Sequence, residues 1–432
     1  MRCGVDPAAS SSLSSRMLLR ARIVLPVSQP PIADGFVRVA GHRITEVGAW
    51  ADLADSTGAE DLGEVILMPG LVNAHCHLDY TDFVGAIPVP HSFTDWINAI
   101  VDLKADVDDD AHVRSWMNGA EQCLLNGITS IGNIETRPDL LPDLWKRGPL
   151  RMFSFIELIV MRAESDANKV VVDTVEWIAN HAPERMRVGL SPHAPYTTKP
   201  ELLEACVATH LPLAIHLAES VEEDEMFRQG SGRLFDWLSG TGRNMADCGH
   251  CSPTAHLERH GVLREGTLVV HGNYLNDDDI RLLGESKVSL VHCPRSHDYF
   301  GHAPFRAEAL HTMGVNLCLG TDSLATVREG DAELSLFDEL DSHQKAFPGL
   351  EPDELIRRVT TNPARALGMA GQVGELTADA FADMIMLPYE GAAESAVEAA
   401  VNHVGHVQAV MIEGHWEMPP PSMRGPIPIE GR

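Results

Sequence analysis

Two histidines, His75 and His77, stand one residue apart in PGLVNAHCHLDYT (69–81), at the end of an apolar run that opens with proline and glycine. On a strand, side chains alternate faces with a period of two, so both imidazoles point the same way. Further along, His216 and Glu219 share IHLAES, His271 lies in VVHGNY, Asp322 in LGTDS, His193 in SPHAPYT, and His292, Ser296 and His297 in HCPRSH. Three neutral imidazoles and one carboxylate are a sufficient ligand set for one borderline divalent cation, with a position left for water. We expect His75, His77, His216 and Asp322 to hold it, with Zn²⁺ as the first expectation and Fe²⁺ as the alternative. Such a cation lowers the pKa of bound water toward about 7, which makes a nucleophile available near neutral pH.

That chemistry needs a group to take the water's proton and to deliver one to a leaving group. Glu219, three residues after His216, is the expected shuttle. Asp322 either ligates or orients the attacking water through a hydrogen bond. His271 is placed to polarise the atom on which charge develops. His193, His292, Ser296 and His297 are expected to contact substrate. For His292, a buried ring packed against a neighbouring loop is an equal alternative.

These residues converge only if the elements carrying them do. Between residue 69 and residue 378, short apolar runs alternate with helical stretches such as SFTDWINAIVDLK and DAHVRSWMNGAEQCLLNG, the pattern of repeated βα units around a parallel sheet. Eight strand candidates can be read: LVNAHCHL, ITSIGNI, MFSFIEL, RVGLSPHA, PLAIHLAE, TLVVHGNY, VSLVHCP and NLCLGTDS. The separation of His75 from Gly320 is close to the roughly 250 residues of a (β/α)₈ TIM barrel, and no glycine-rich dinucleotide fingerprint argues for an open sheet. In such barrels the chemistry sits where strands end. His75, His77, His193, His216 with Glu219, His271, His292 and Asp322 all lie there, and strand eight closes against strand one.

The flanks read differently. Residues 1–16 are a Ser-rich lead with too little apolar content to order. Residues 17–68 and 379–428 carry short β-type runs broken by Pro and Gly, and are expected to pair as a small composite β-sandwich. IEGR at 429–432 has the form of a protease-site remnant and is excluded from fold reasoning.

The balance of 33 Lys and Arg against 62 Asp and Glu gives a net charge of −29, which repels phosphate backbones and anionic lipid. Nucleic acid is not an expected partner, and no stretch approaches the roughly 20 apolar residues of a membrane span. The eight cysteines are scattered, several of them in apolar segments, a pattern that suits a reducing cytoplasm. Cys248, Cys251, His256 and His260 in DCGHCSPTAHLERHG superficially suggest a second zinc site, but the separation is too short for a finger. The acidic run DVDDD (106–110) reads as a helix N-terminus.

With these residues assembled, the chain resembles the amidohydrolase superfamily, in the branch holding cytosine, guanine and adenosine-derivative deaminases and triazine chlorohydrolases. The matching segments are PGLVNAHCHLD, SPHAPYT, HLAES, VHGNYL, HCPRSH, GTDS and TTNPARALGMAGQVGELTADAFADMIML. The resemblance runs from about residue 17 to about residue 415. It implies a single divalent metal on His75, His77, His216 and Asp322, proton transfer by Glu219, transition-state stabilisation by His271, and a homodimer. No lysine stands in RVGLSPHA to bridge a second metal, and Glu157 in MFSFIEL is the one carboxylate that could alter that count. Two departures bear on the pocket: His297, Tyr299, Phe300 and His302 crowd the loop after strand seven, and NGITSIGN ends strand two without an aspartate.

The expected function is a metal-dependent aminohydrolase that deaminates a small-molecule substrate, a heteroaromatic base or modified nucleoside, through a metal-activated water. The alternatives are hydrolytic dechlorination or cyclic-amide hydrolysis at the same centre and, more remotely, a non-catalytic barrel scaffold.

Overall fold

The computed structural model describes residues 16–183, 186–328 and 332–423. Apart from Arg16, which opens a strand, the Ser-rich lead lies outside the described residues, as does the tetrapeptide at 429–432.

Eight parallel strands stand side by side in chain order: β1 (Leu71–Cys76), β2 (Ile128–Glu135), β3 (Arg151–Leu158), β4 (Arg187–Pro192), β5 (Leu213–Leu217), β6 (Thr267–His271), β7 (Ser289–His292) and β8 (Asn316–Leu319). Each coincides with one of the eight apolar runs read from the sequence, β2 and β3 extending one residue beyond theirs, to Glu135 and Arg151. Helices occupy the connections, and their starts follow local chemistry. Ser92 accepts from Asp95 N to open the helix Phe93–Ala105, and Asp108 accepts from Ala111 N to open Asp109–Leu125. The acidic run 106–110 therefore does mark a helix N-terminus, where carboxylates complement the macrodipole.

The sheet closes into a (β/α)₈ barrel through the backbone of the residues expected to do chemistry. Cys76 and Asp322 form a parallel bridge, Asp322 N donates to His75 O at 3.2 Å, and His77 N donates to Asp322 O at 3.3 Å. Toward the other end, the segment after the last barrel helices fills the seam, where Val72 N donates to Val359 O and Leu319 N to Arg358 O. Gly320 permits the approach, because a Cβ there would lie 2.9 Å from His75 O and 2.8 Å from Val291 Cγ1.

The period-two alternation sets which side chains enter the barrel. Phe153, Phe155, Ala214, Val291 and Cys318 pack together inside, whereas Ile156, Ile215, Leu217, Leu290 and Leu317 pack toward the helices. Cys76 packs outward with Trp116 and Cys123, so the two histidines flanking it face inward.

The chain ends pair as expected. Met384–Pro388 runs antiparallel to Val65–Pro69, which lies parallel to Arg16–Val24, and the sheet continues through Ile32–Ala40 to Arg43–Ala49. Ala409–Ile412 and His415–Met418 extend the other edge. This second sheet, separate from the barrel, is one continuous eight-stranded sheet. It folds over its own core of Leu19, Val37, Ile44, Leu67 and Met384, and Ile44 N reaches Ala380 O at 2.9 Å to draw its far edge back.

Candidate metal centre

At the C-terminal mouth of the barrel, the ligand atoms of His75, His77 and His216 lie within 4.8 Å of one another, as do those of His75, His271 and Asp322. The expected four residues thus meet, and His271 joins them as a fifth donor. His77 Nε2 and His216 Nε2 are 3.4 Å apart, and Asp322 Oδ1 is 3.5 Å from His75 Nε2 and 3.7 Å from His77 Nε2. All five side chains are buried.

Each donor is aimed by its strand. His216 shares the inward parity of Ala214 on β5, and Asp322 that of Cys318 on β8. His271 falls on the outward parity of β6, beside inward-facing Val270, yet its ring lies 5.9 Å from that of His75. A left-handed backbone turn, φ 73°, is what re-aims it. Asp322 (φ 54°) and Ala218 (φ 49°), which precedes Glu219, share that conformation. Non-glycine residues there carry strain of order 1–3 kcal/mol each, held by the surrounding structure.

The residues fit a cation. His216 Nδ1 donates to the His193 carbonyl at 2.8 Å, which leaves Nε2 as a lone pair aimed at His77. Both ring nitrogens of His75 and Nδ1 of His77 are buried without a hydrogen-bond partner, an expensive condition for groups that meet nothing else. Burial, reinforced by neighbouring imidazoles, holds His77 and His216 well below the usual imidazole range. Burial does the same to His271 against the opposing pull of Asp322, with smaller help from His216 and His75. Burial alone would raise Asp322, but the rings of His75, His271 and His77 that face it bring it far below the carboxylate range. His77, His216 and His271 are therefore held as neutral imidazoles around one carboxylate.

Glu219 Oε1 lies 3.5 Å from His271 Nε2. Burial, and then the charges of Asp322 and Glu223, push Glu219 well above the usual range, so it is suited to carry a proton near neutral pH. Its backbone is held at both ends: Glu219 N donates to Glu223 Oε2 at 2.9 Å, and Asn273 Nδ2 donates to Glu219 O at 2.9 Å.

The residues expected at the substrate scatter more. His193 tops β4, with its ring 4.8 Å from that of His216. Ser296 and His297 lie on the short helix Pro294–Phe300 over the mouth, and His297 Nδ1 meets Asn273 Oδ1 at 3.0 Å. His292 takes the outward parity of β7 and stacks flat on Phe305 at 3.9 Å, which favours packing over contact with substrate. The Cys248–His260 segment forms no metal-range cluster among the described residues. There Cys248 Sγ meets Arg243, and His256 lies between the rings of Phe227 and His260.

Sequence reasoning missed two neighbours. Tyr80 stacks on His77 (5.2 Å, 6°), and Lys104 Nζ donates to the Tyr80 hydroxyl at 2.5 Å. Tyr80 was within reach, three residues beyond His77. Lys104 was not, since only the folding of helix Phe93–Ala105 across the mouth brings it there.

Residues 66–416 match the sequence profile of the Amidohydrolase family. A 5-methylthioadenosine/S-adenosylhomocysteine deaminase of Syntrophobacter fumaroxidans is 28% identical over 377 residues, which are 82% of this chain and 80% of that protein. An aminodeoxyfutalosine deaminase of Deinococcus radiodurans is 28% identical over 356 residues, 78% of this chain and 82% of that protein. An adenosine deaminase of Xanthomonas campestris with bound zinc superposes with a TM-score of 0.78 at 22% identity, over 93% of this chain and 92% of that one, a likeness of fold.

Proposed function

This chain belongs to the amidohydrolase family, and from that premise we propose that it is a metal-dependent aminohydrolase that releases ammonia from a heteroaromatic base, most simply the base of a modified nucleoside. His75, His77, His216 and Asp322 hold the cation. Bound there, it activates water and polarises the substrate. Glu219 takes one proton of the attacking water and passes it to a ring nitrogen, then takes the second from the added hydroxyl and delivers it to the departing amine, so that a carbonyl forms as the C–N bond breaks. His271, 3.5 Å from Glu219, stabilises the charge that develops on the atom beside the attacked carbon.

The observation that carries this reading is the buried Glu219 beside a convergent donor set. An amine leaves only with a proton, so a poised acid favours deamination over chloride loss, which needs none. The deaminase names of both relatives point the same way. Zinc, the metal bound in the Xanthomonas relative, is preferred to iron. His193, Ser296 and His297 line the substrate side. The seven cysteines among the described residues are free thiols, which supports a reducing, cytoplasmic setting, and no helix there is long and apolar enough to cross a membrane. The family resemblance carries a homodimer.

The test is ammonia release by the zinc-loaded protein from aminated purines, pyrimidines and nucleosides, including 5′-methylthioadenosine. At least one should be turned over with kcat/KM of about 10⁴ M⁻¹s⁻¹ or more. A protein that holds zinc and releases ammonia from none contradicts the reading. Release of chloride from a chlorinated triazine would move it to the dechlorinase alternative.

A further inference from the structure

We propose that a cavity at the N-terminal end of the barrel, opposite the metal centre, binds a small aromatic oxyanion: a planar ring carrying a phosphate or a carboxylate. The cavity has a volume of about 400 Å³, within the range of small-molecule sites. It opens where β3 to β6 begin. Phe153 on β3 pairs with Arg187, the first residue of β4, and Leu213, the first of β5, pairs with Thr267, the first of β6. His216 and His271 stand at the far ends of these last two strands.

The floor is apolar and partly aromatic. Phe153, Phe155 and Leu268 follow the inward parity of their strands and pack with Leu367, which ends the helix Thr361–Ala366 across the barrel's base. The inward position of β4 at this level is Gly189, where a Cβ would lie 2.8 Å from Phe155 Cδ1 and 2.5 Å from Pro212 O. No side chain from β4 therefore covers the floor. Exposed aromatic surface of this kind receives a planar ring by offset or edge-on stacking.

The rim is cationic, in a chain whose net charge is −29. Arg187, Arg264 and Arg365 line the cavity, and among the described residues Glu265 is its one acidic lining residue. Arg264 donates from Nη1 to Val207 O at 3.0 Å and from Nη2 to Leu211 O at 3.3 Å, which fixes the guanidinium without neutralising it. The Arg187 guanidinium lies against Gly368, where a Cβ would be 3.0 Å from Nη1. Among the described residues no carboxylate pairs with any of the three arginines. Guanidinium groups bind phosphate and carboxylate oxygens through paired N–H donors. An uncharged ring leaves them unanswered, and a bare phosphate leaves the floor uncovered. An anion with an aromatic body satisfies both.

Binding of AMP, indole-3-acetate, adenosine and inorganic phosphate to the zinc-loaded protein is measured by isothermal titration calorimetry at low ionic strength. The variants are the double substitution Arg187→Gln/Arg365→Gln, at two exposed positions, and Ala366→Trp, which fills the cavity and leaves the arginines in place. Zinc content and Tm are measured on each. Wild type should bind AMP, indole-3-acetate or both with Kd below about 1 mM, and the arm that binds identifies the head group. Each variant should weaken that binding by about tenfold or more, with zinc still at one per chain. Inorganic phosphate should bind wild type at least about tenfold more weakly than the aromatic anion, and adenosine should not respond to the arginine substitutions. Failure of wild type to bind either aromatic anion overturns the proposal. So does unchanged affinity in whichever variant keeps its zinc and Tm, phosphate binding as tight as that of the aromatic anion, or an equal loss of adenosine affinity on removing the arginines.

Discussion

The Nε2 atoms of His77 and His216 stand 3.4 Å apart, with their rings inclined by only 14°. Because His216 directs its Nδ1 proton to the His193 carbonyl, its Nε2 has a lone pair to offer. A tetrahedral cation bound at about 2.0–2.1 Å separates two of its nitrogen ligands by roughly 3.3–3.4 Å. The separation is thus that of two ligands sharing one ion; the barrel's closing hydrogen bond to Asp322 O holds the His77 backbone, and the His193 carbonyl holds His216.

Glu219→Gln keeps the shape of the side chain and removes its proton transfer. We expect kcat for deamination to fall by about 10²- to 10⁴-fold, with zinc content unchanged. If the reaction expelled chloride, the same substitution would cost far less, so steady-state kinetics on the best substrate separate the two chemistries.

Gly320→Ala tests the seam between β1 and β8. The added Cβ would meet Val291 Cγ1 at 2.8 Å, His75 O at 2.9 Å and His75 Cβ at 3.1 Å. Overpacking of this kind destabilises by about 1–3 kcal/mol, and here the strain falls on a ligand's own backbone. Thermal unfolding should show a lowered Tm and a smaller upward shift on adding zinc than wild type. An unchanged zinc-dependent shift would separate the seam from the centre.

Glu135, at the end of β2, accepts from Ser154 Oγ at 2.8 Å and from Trp116 Nε1 at 3.2 Å, and burial raises it from 4.5 to about 7. Between those values the unfolded chain releases the proton while the folded one keeps it. The group's contribution is therefore complete below about pH 4.5 and is lost as pH rises through 7, a change of roughly 3 kcal/mol. Glu135→Gln should flatten the decline of stability between pH 5 and 7, measured by urea unfolding. A slope identical to wild type would show that Glu135 does not bind the proton.

Much of this was legible in the sequence because period-two patterning and the placement of polar residues at strand ends are local. The eight strands, the pairing of the chain ends and the convergence of His75, His77, His216 and Asp322 follow from these alone. His271 shows the limit: by parity it faces outward, and only a left-handed backbone turn, which no residue type announces at a histidine, turns it inward. His292 shows the reverse, since its strand-end position resembles that of the others while Phe305, supplied by the following loop, holds it outside. Lys104 reaches the site across the barrel mouth, a relationship set by tertiary packing and invisible to spacing.

The central claim is best tested by locating the metal itself. Crystals of zinc-reconstituted protein, measured on both sides of the zinc absorption edge, should give one anomalous peak per chain about 2.0–2.2 Å from His77 Nε2 and His216 Nε2, with His75 and Asp322 in contact. Absence of a peak there in zinc-saturated protein, or a peak at Cys248 and Cys251 instead, would contradict the account.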